Sequence, residues 1–439
     1  MRTDVPGPQE AYRAIDLALR AGEVLLSGGA GAADVTATCT AVAEACGLRG
    51  LECDLTFTSI SVSWQPALDV APLTGLRLVQ VRGLDYTRVT AVHNLVHDLV
   101  DGRIDQATAA ERLREVVAAR HPYRRPVVTG ARAMLATSVA VLLGAGPVVA
   151  GAAFAATVAV DLVGTRLHRR GVPVFYQNVV GGLIATAVAL GLVAAGVGVR
   201  PSLVVAGGIV LLLPGVTLVG AVQDAITGFY VTASARAFET FLLTAGIISG
   251  VALALSAGNQ LGLSVHVGDI PIRGLQEVPL QLLAAAVVSA SFAVANYAPR
   301  RTVPAVGAAG ALGWATFVLV DRLQLPATFA TAVAAVLIGL GAGRFARRQK
   351  APVLVYLAGG IIPLLPGLLI YRGMRRFADG DSLAGITLLG EAVSVGLALA
   401  AGAILGEFLG QPVRRDVRRR DRRTAGPRLA GPRGRRRRA

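Results

Sequence analysis

The stretch Gly207–Gly215, "GGIVLLLPG", returns later in the chain as Gly359–Gly367, "GGIIPLLPG". Proline removes a backbone donor and glycine loosens a helical turn, so a Pro-Gly pair inside an apolar helix frees N–H and C=O groups where no water can satisfy them. Gly207 and Gly359, Pro214 and Pro366, and Gly215 and Gly367 share one offset of 152 residues. One such pair often only kinks or packs a membrane helix. Recurrence at matched positions points instead to an internal repeat whose two breaks bind a polar ligand or ion.

The composition around these stretches is that of a polytopic membrane protein. Hydrophobic residues make up 54% of 439, charged residues 16%, and glycine occurs 52 times, with a mean hydropathy of +0.59. Such values exclude an ordinary soluble enzyme. The net charge of +16 suggests nucleic acid until it is located, because Val413–Ala439 holds thirteen arginines against Asp416 and Asp421. That tail lacks apolar periodicity, reads as disordered, and suits anionic lipid headgroups rather than a nucleic acid. Cys39, Cys46 and Cys53 form no paired framework, which argues for a reducing, cytoplasmic compartment. The N-terminus, with Asp4, Glu10 and Asp16, lacks the apolar core of a signal peptide.

Residues 1–125 read as a small cytoplasmic α+β domain. Helical spacing in "AYRAIDLALRAGEVLLSGG" and "ADVTATCTAVAEACG" is followed by alternating strands "LECDLTFTSISVSW" and "GLRLVQVRG", then two helices, "TRVTAVHNLVHDLV" and "QATAAERLREVVAAR". From Pro126 the chain turns apolar. A span needs roughly 20 apolar residues. The uncharged run 133–160 divides at "GAGP" into two spans, and others are expected at 174–197, 201–222 and 237–257. A second set is expected at 279–298, 303–320, 325–342, 352–371 and 383–409. The fold predicted is ten transmembrane helices in two five-helix repeats, 126–260 and 261–410, with an arginine-rich tail at 411–439. An odd number of spans per half makes the second repeat enter the membrane inverted, the plan of secondary transporters. Arginines 124, 125, 132, 166, 169, 170, 300, 301, 344, 347 and 348 then fall inside, and both termini are cytoplasmic. One loop dissents: "YRGMRRFADGDS" is predicted outside yet carries Arg372, Arg375 and Arg376.

The N-terminal "LLSGGAGAADVTATCTAVAEACGL", the strand "LTFTSISVS" and above all "LPGVTLVGAVQDAITGFYVTASARAFE" resemble the threonine/serine exporter family of bacterial inner-membrane proteins. The resemblance covers nearly the whole chain short of the tail. It implies export of small hydroxy amino acids driven by the proton motive force, and related two-subunit systems are linked to dicarboxylates. Pro214, Gly215, Asp224, Arg236 and Glu239 match the family signature. "VGAVQ" and Gly228-Phe229 depart from it, which bears on substrate identity.

A zwitterionic substrate needs partners for a carboxylate, an ammonium and a coupled proton. The freed N–H groups at Pro214-Gly215 and Pro366-Gly367, with Arg236 or Arg372, are candidates for the carboxylate. Asp224, Glu239 and Glu391 are candidates for the ammonium and the proton, Glu391 being the most deeply placed along its predicted span. Asp161 and Glu407 read as interfacial. His93 and His97 stand one helical turn apart, but Asn94 occupies the place where a hydrolytic zinc motif has glutamate. No metal or cofactor and no enzymatic role is expected. Two rival readings are a dicarboxylate exporter, which needs two basic partners, and a membrane-anchored hydrolase whose chemistry lies in residues 1–125. The oligomeric state stays open.

Overall fold

The computed structural model describes residues 6–67, 69–79, 83–198, 200–263 and 278–410. The expected disordered tail and most of the polar loop before the second set of helices lie outside these residues.

The N-terminal region opens with α1 (Pro8–Ser27) and α2 (Ala32–Ala45), continues through β1 (Glu52–Leu55), β2 (Ser59–Trp64) and β3 (Leu73–Leu78), and closes with α3 (Tyr86–Val100) and α4 (Gln106–Ala118). The strands form one antiparallel sheet, β1-β2-β3, pairing Leu55 with Ile60 and Trp64 with Leu73. The single strand expected at "LECDLTFTSISVSW" is in fact a hairpin turned at Thr56–Thr58, where the Thr56 N–H donates to the Ser59 carbonyl at 2.9 Å. Ile60, Val62 and Trp64 alternate inward beneath α1 and join a core of their own with Leu17, Val35 and Cys39. Asp85 caps α3, accepting from the N–H groups of Thr87 and Arg88 at 3.1 and 3.0 Å, the usual device for orphan donors at a helix start.

The remaining helices are α5 (Arg125–Leu142), α6 (Pro147–Arg169), α7 (Val174–Ala194), α8 (Pro201–Ile209), α9 (Gly215–Ile226) and α10 (Tyr230–Gln260), then α11 (Val278–Ala295), α12 (Val303–Asp321), α13 (Ala327–Gln349), α14 (Val353–Ile361), α15 (Gly367–Ala378) and α16 (Ser382–Gly410). Seven are long and apolar enough to cross a membrane: α6, α7, α10, α11, α12 with its leading 3-10 turn, α13 and α16. The α14–α15 pair, bent by 47° at its break, makes an eighth. Ten spans would require α5 and the α8–α9 pair as well. Arg372, Arg375 and Arg376 lie on α15 itself, so the expected loop is a helical continuation past the second break.

The last three helices of the two sets match in register. Helices α8, α9 and α10 begin at 201, 215 and 230, and α14, α15 and α16 begin at 353, 367 and 382, each 152 residues later. Packing repeats with them: α7 lies along α10 as α13 lies along α16, while α5 packs on α11. A Cβ on Gly250 would stand 1.9 Å from the Val179 carbonyl oxygen, and one on Gly402 2.5 Å from that of Ala332. Only glycine lets these backbones approach so closely. The chain just before α5 meets the chain just after α11, where the Tyr123 hydroxyl donates to the Ala298 carbonyl at 2.9 Å, so these two helices run antiparallel.

Candidate functional site

The two breaks face each other. A Cβ on Gly215 would lie 3.1 Å from Leu365 Cβ, and a Cβ on Gly367 would lie 3.1 Å from Leu213 Cβ. Leu213 and Leu365 carry the same offset as Gly215 and Gly367, so this contact is reciprocal. Around them lies a cavity of about 210 Å³. Its wall includes the offset pairs Val210 and Ile362, Leu213 and Leu365, Gly215 and Gly367, and Val216 and Leu368. Leu135, Val139 and Leu142 of α5, Phe292 of α11 and Trp314 of α12 complete much of the rest.

No charged side chain lines this cavity. Trp314 Nε1 is directed to Gln281 Oε1 at 3.2 Å. Polar recognition therefore falls to the main chain. Helix α9 starts with Pro214 as its N-cap and has no side-chain cap, and its first residues, Gly215 and Val216, line the cavity wall. Helix α15 follows Pro366, whose carbonyl accepts the Ile370 N–H at 3.1 Å, and has Gly367 and Leu368 in the wall. Two helix N-termini, each carrying a partial positive charge, converge on one small apolar space suited to an anionic group.

The acids and arginines expected at the site are distributed differently. Asp224, on α9, is 1% exposed and pairs with Arg236 of α10 at 3.2 Å. Its other oxygen accepts the Ala32 N–H at 2.9 Å, at the start of α2, while Arg236 Nη2 reaches the Ala30 carbonyl at 3.4 Å. The pair thus clamps the "GGAGA" loop of the N-terminal region, outside the cavity wall. Thr232 Oγ1 donates to Leu55 O at 3.3 Å beside it. Asp34, in the first turn of α2, is solvent-accessible yet recessed among protein atoms, and desolvation followed by the charge of Asp224 raises its carboxyl above the usual range. The same region also grips the second set: the Tyr86 N–H donates to Asn296 O at 3.0 Å, and Asn94 Nδ2 to Lys350 O at 3.2 Å.

Glu239 is half-buried on α10, and Arg372 half-buried on α15. Glu391 lies on the exposed side of α16, not in the cavity wall. Glu239 and Glu391 themselves share the 152-residue offset of the two breaks. Asp161 is buried among protein atoms: it receives Thr129 Oγ1 at 2.5 Å and pairs with Arg132 of α5. Cys39 is buried and its thiol points to Ala18 O at 3.3 Å. The rings of His93 and His97 stand 4.8 Å apart, and no group of three metal-ligating side chains occurs among the described residues.

These features define a multi-pass membrane protein with a small internal cavity at a doubled helix break. Comparison with known proteins makes the class specific. Two family models match in succession, one for a threonine/serine exporter over residues 16–258 and one described as "Threonine/Serine exporter, ThrE" over residues 281–409. The chain is 37% identical over 411 residues to the "Probable threonine/serine exporter" of Mycobacterium tuberculosis, covering 92% of this chain and 77% of that one. It is 35% identical over 426 residues to the "Threonine/serine exporter" of Corynebacterium glutamicum, covering 94% and 86%. No solved structure is a significant match. The chain belongs to the threonine/serine exporter family, whose members are named as exporters and not as enzymes.

Proposed function

We propose that the protein exports threonine and serine across the inner membrane by proton-coupled rocking of two inverted five-helix repeats about the cavity. The observation that carries this reading is the reciprocal seating of Gly215 against Leu365 and Gly367 against Leu213. In inverted-repeat transporters the substrate sits between discontinuous helices whose N-termini face its anionic group. Here the amino acid's carboxylate lies against the N–H groups of Gly215, Val216, Gly367 and Leu368, and its short side chain against the apolar wall. A cavity of about 210 Å³ suits a small amino acid rather than a bulky one. The ten spans are α5, α6, α7, α8 with α9, and α10, then α11, α12, α13, α14 with α15, and α16.

In this reading residues 1–125 form a cytoplasmic domain that covers the inner mouth, residues 126–260 and 261–410 are the two repeats, and 411–439 lie on anionic headgroups. Asp224 and Arg236 latch the domain by its "GGAGA" loop, and breaking the latch admits substrate from the cytoplasm. Protonation of Asp224 weakens the ion pair, which couples opening to the proton gradient; Glu239, Glu391 and Arg372 serve the pathway outside the cavity.

Cells preloaded with threonine, serine or succinate test the reading by efflux, with and without an uncoupler. Threonine and serine efflux that collapses with the uncoupler is expected. Succinate efflux in their place overturns the substrate, and efflux indifferent to the uncoupler overturns the coupling.

A further inference from the structure

The cavity wall carries no cation, yet a charged side chain stands on its approach. On α5 the wall residues Leu135, Val139 and Leu142 form one helical stripe, and Arg132 begins that stripe three residues before Leu135. At 1.5 Å per residue it lies about 4.5 Å along the axis from Leu135 and about 10 Å from Val139, which is almost in line with it around the helix. It also lies toward the end of α5 that meets the N-terminal side of the molecule through Tyr123 and Ala298.

Two further observations set Arg132 apart from a structural ion pair. First, its partner is held from a second direction: Asp161 is 6% exposed and also receives the Thr129 hydroxyl, whereas the Arg132 side chain remains 34% exposed. Asp161 engages one guanidinium nitrogen, and the fork has further donors to offer. Second, the repeat does not conserve this charge. At the 152-residue offset of the breaks, the residue of α11 corresponding to Arg132 is Ala284, which is buried. The charge therefore belongs to one repeat alone, on the side where the exporter reading has the cargo enter.

We infer that Arg132 is a substrate-binding residue that receives the carboxylate of the cargo at the cytoplasmic approach and hands it to the helix N-termini of the cavity, with Asp161 and Thr129 as positioning residues. This rests on the amino-acid exporter reading. A planar fork pairs with a carboxylate in two parallel hydrogen bonds, which a lysine cannot reproduce. The cavity wall beyond Arg132 and Asp161 is made of uncharged residues, so an anionic group that leaves the guanidinium meets no further acid there.

The test is efflux from the full-length protein in reconstituted vesicles, comparing threonine with threoninol, its amino alcohol lacking the carboxylate. Arg132→Gln should raise the half-saturating threonine concentration about tenfold, the loss expected for a charge-assisted hydrogen bond, and leave threoninol efflux unchanged. Arg132→Lys should fall between, and Asp161→Asn should weaken threonine binding less than Arg132→Gln does. The exchange Arg132→Asp with Asp161→Arg keeps the ion pair and removes the arginine from its stripe, so it should not restore threonine affinity. Restoration by the exchange, or equal loss with threonine and threoninol, overturns the inference. Wild-type vesicles that release no threonine at all would instead overturn the exporter reading, so the two failures are distinguishable.

Discussion

The break between α8 and α9 and the break between α14 and α15 have one backbone plan and different charges. Both follow a nine-residue helix, both pass through Pro-Gly, and both begin a twelve-residue helix 152 residues apart. Beyond the breaks they diverge. Where α9 carries Asp224, buried and tied to the N-terminal region, α15 carries Arg376, exposed and paired with Asp381 at 3.8 Å. Where α10 carries Arg236, α16 carries Leu388. The shared part builds the cavity. The unshared part ties the N-terminal region to α9 and α10.

The largest expected effect strikes the shared part. Gly215→Leu or Gly367→Leu puts a branched side chain where even a Cβ has 3.1 Å of room, so each should abolish threonine efflux, and to the same extent. Unequal losses would break the equivalence of the two breaks. Next comes the unshared part: Asp224→Asn removes one charge of a buried pair, and about a tenfold change in efflux is expected, with the Gly28–Ala32 loop newly open to proteolysis. Arg376→Gln, at the matching position, should leave both unchanged. A smaller effect, on stability alone, separates the close glycines. Gly250→Ala should lower the melting temperature in detergent more than Gly402→Ala, because its Cβ would press a carbonyl at 1.9 Å rather than 2.5 Å, within the range of about 1 to 3 kcal/mol usual for overpacking.

The smallest concerns the N-terminal region by itself. Burial, and then the neighbouring His97, push the His93 imidazole down to about 4 from its ordinary 6.5. Between those values the unfolded chain takes the proton before the folded one, so stability falls as pH drops from 6.5 toward 4 and changes little below that. His93→Gln should flatten this acid limb in thermal unfolding; an unchanged limb would place its cause elsewhere.

Much of this was legible in the sequence because it is written in spacing. The Pro-Gly recurrence located both breaks, "GAGP" split α5 from α6, and glycine-closed helical patterns marked α1 and α2. The β-hairpin escaped notice because Thr56–Thr58 turns without the Gly, Pro or Asn that signals one. Pairings across long separations were invisible: Asp224 meets Ala32 192 residues away, and nothing in either segment names the other. Position along a helix also says little about which side a residue occupies. Glu391 sits well inside α16 yet on its exposed side, whereas Asp161, near an end of α6, is buried because Thr129 and Arg132 fold over it.

The most direct test of the account joins the two breaks covalently. With Cys39, Cys46 and Cys53 replaced by alanine, the pair Leu213→Cys and Gly367→Cys places two Cβ atoms 3.1 Å apart, near enough for a disulfide after a few tenths of an ångström of give. Oxidation should close the bond and stop threonine efflux, and a reductant should restore it, if the repeats must part at this contact to move their cargo. Undiminished efflux from fully cross-linked protein would contradict a transport path between the breaks.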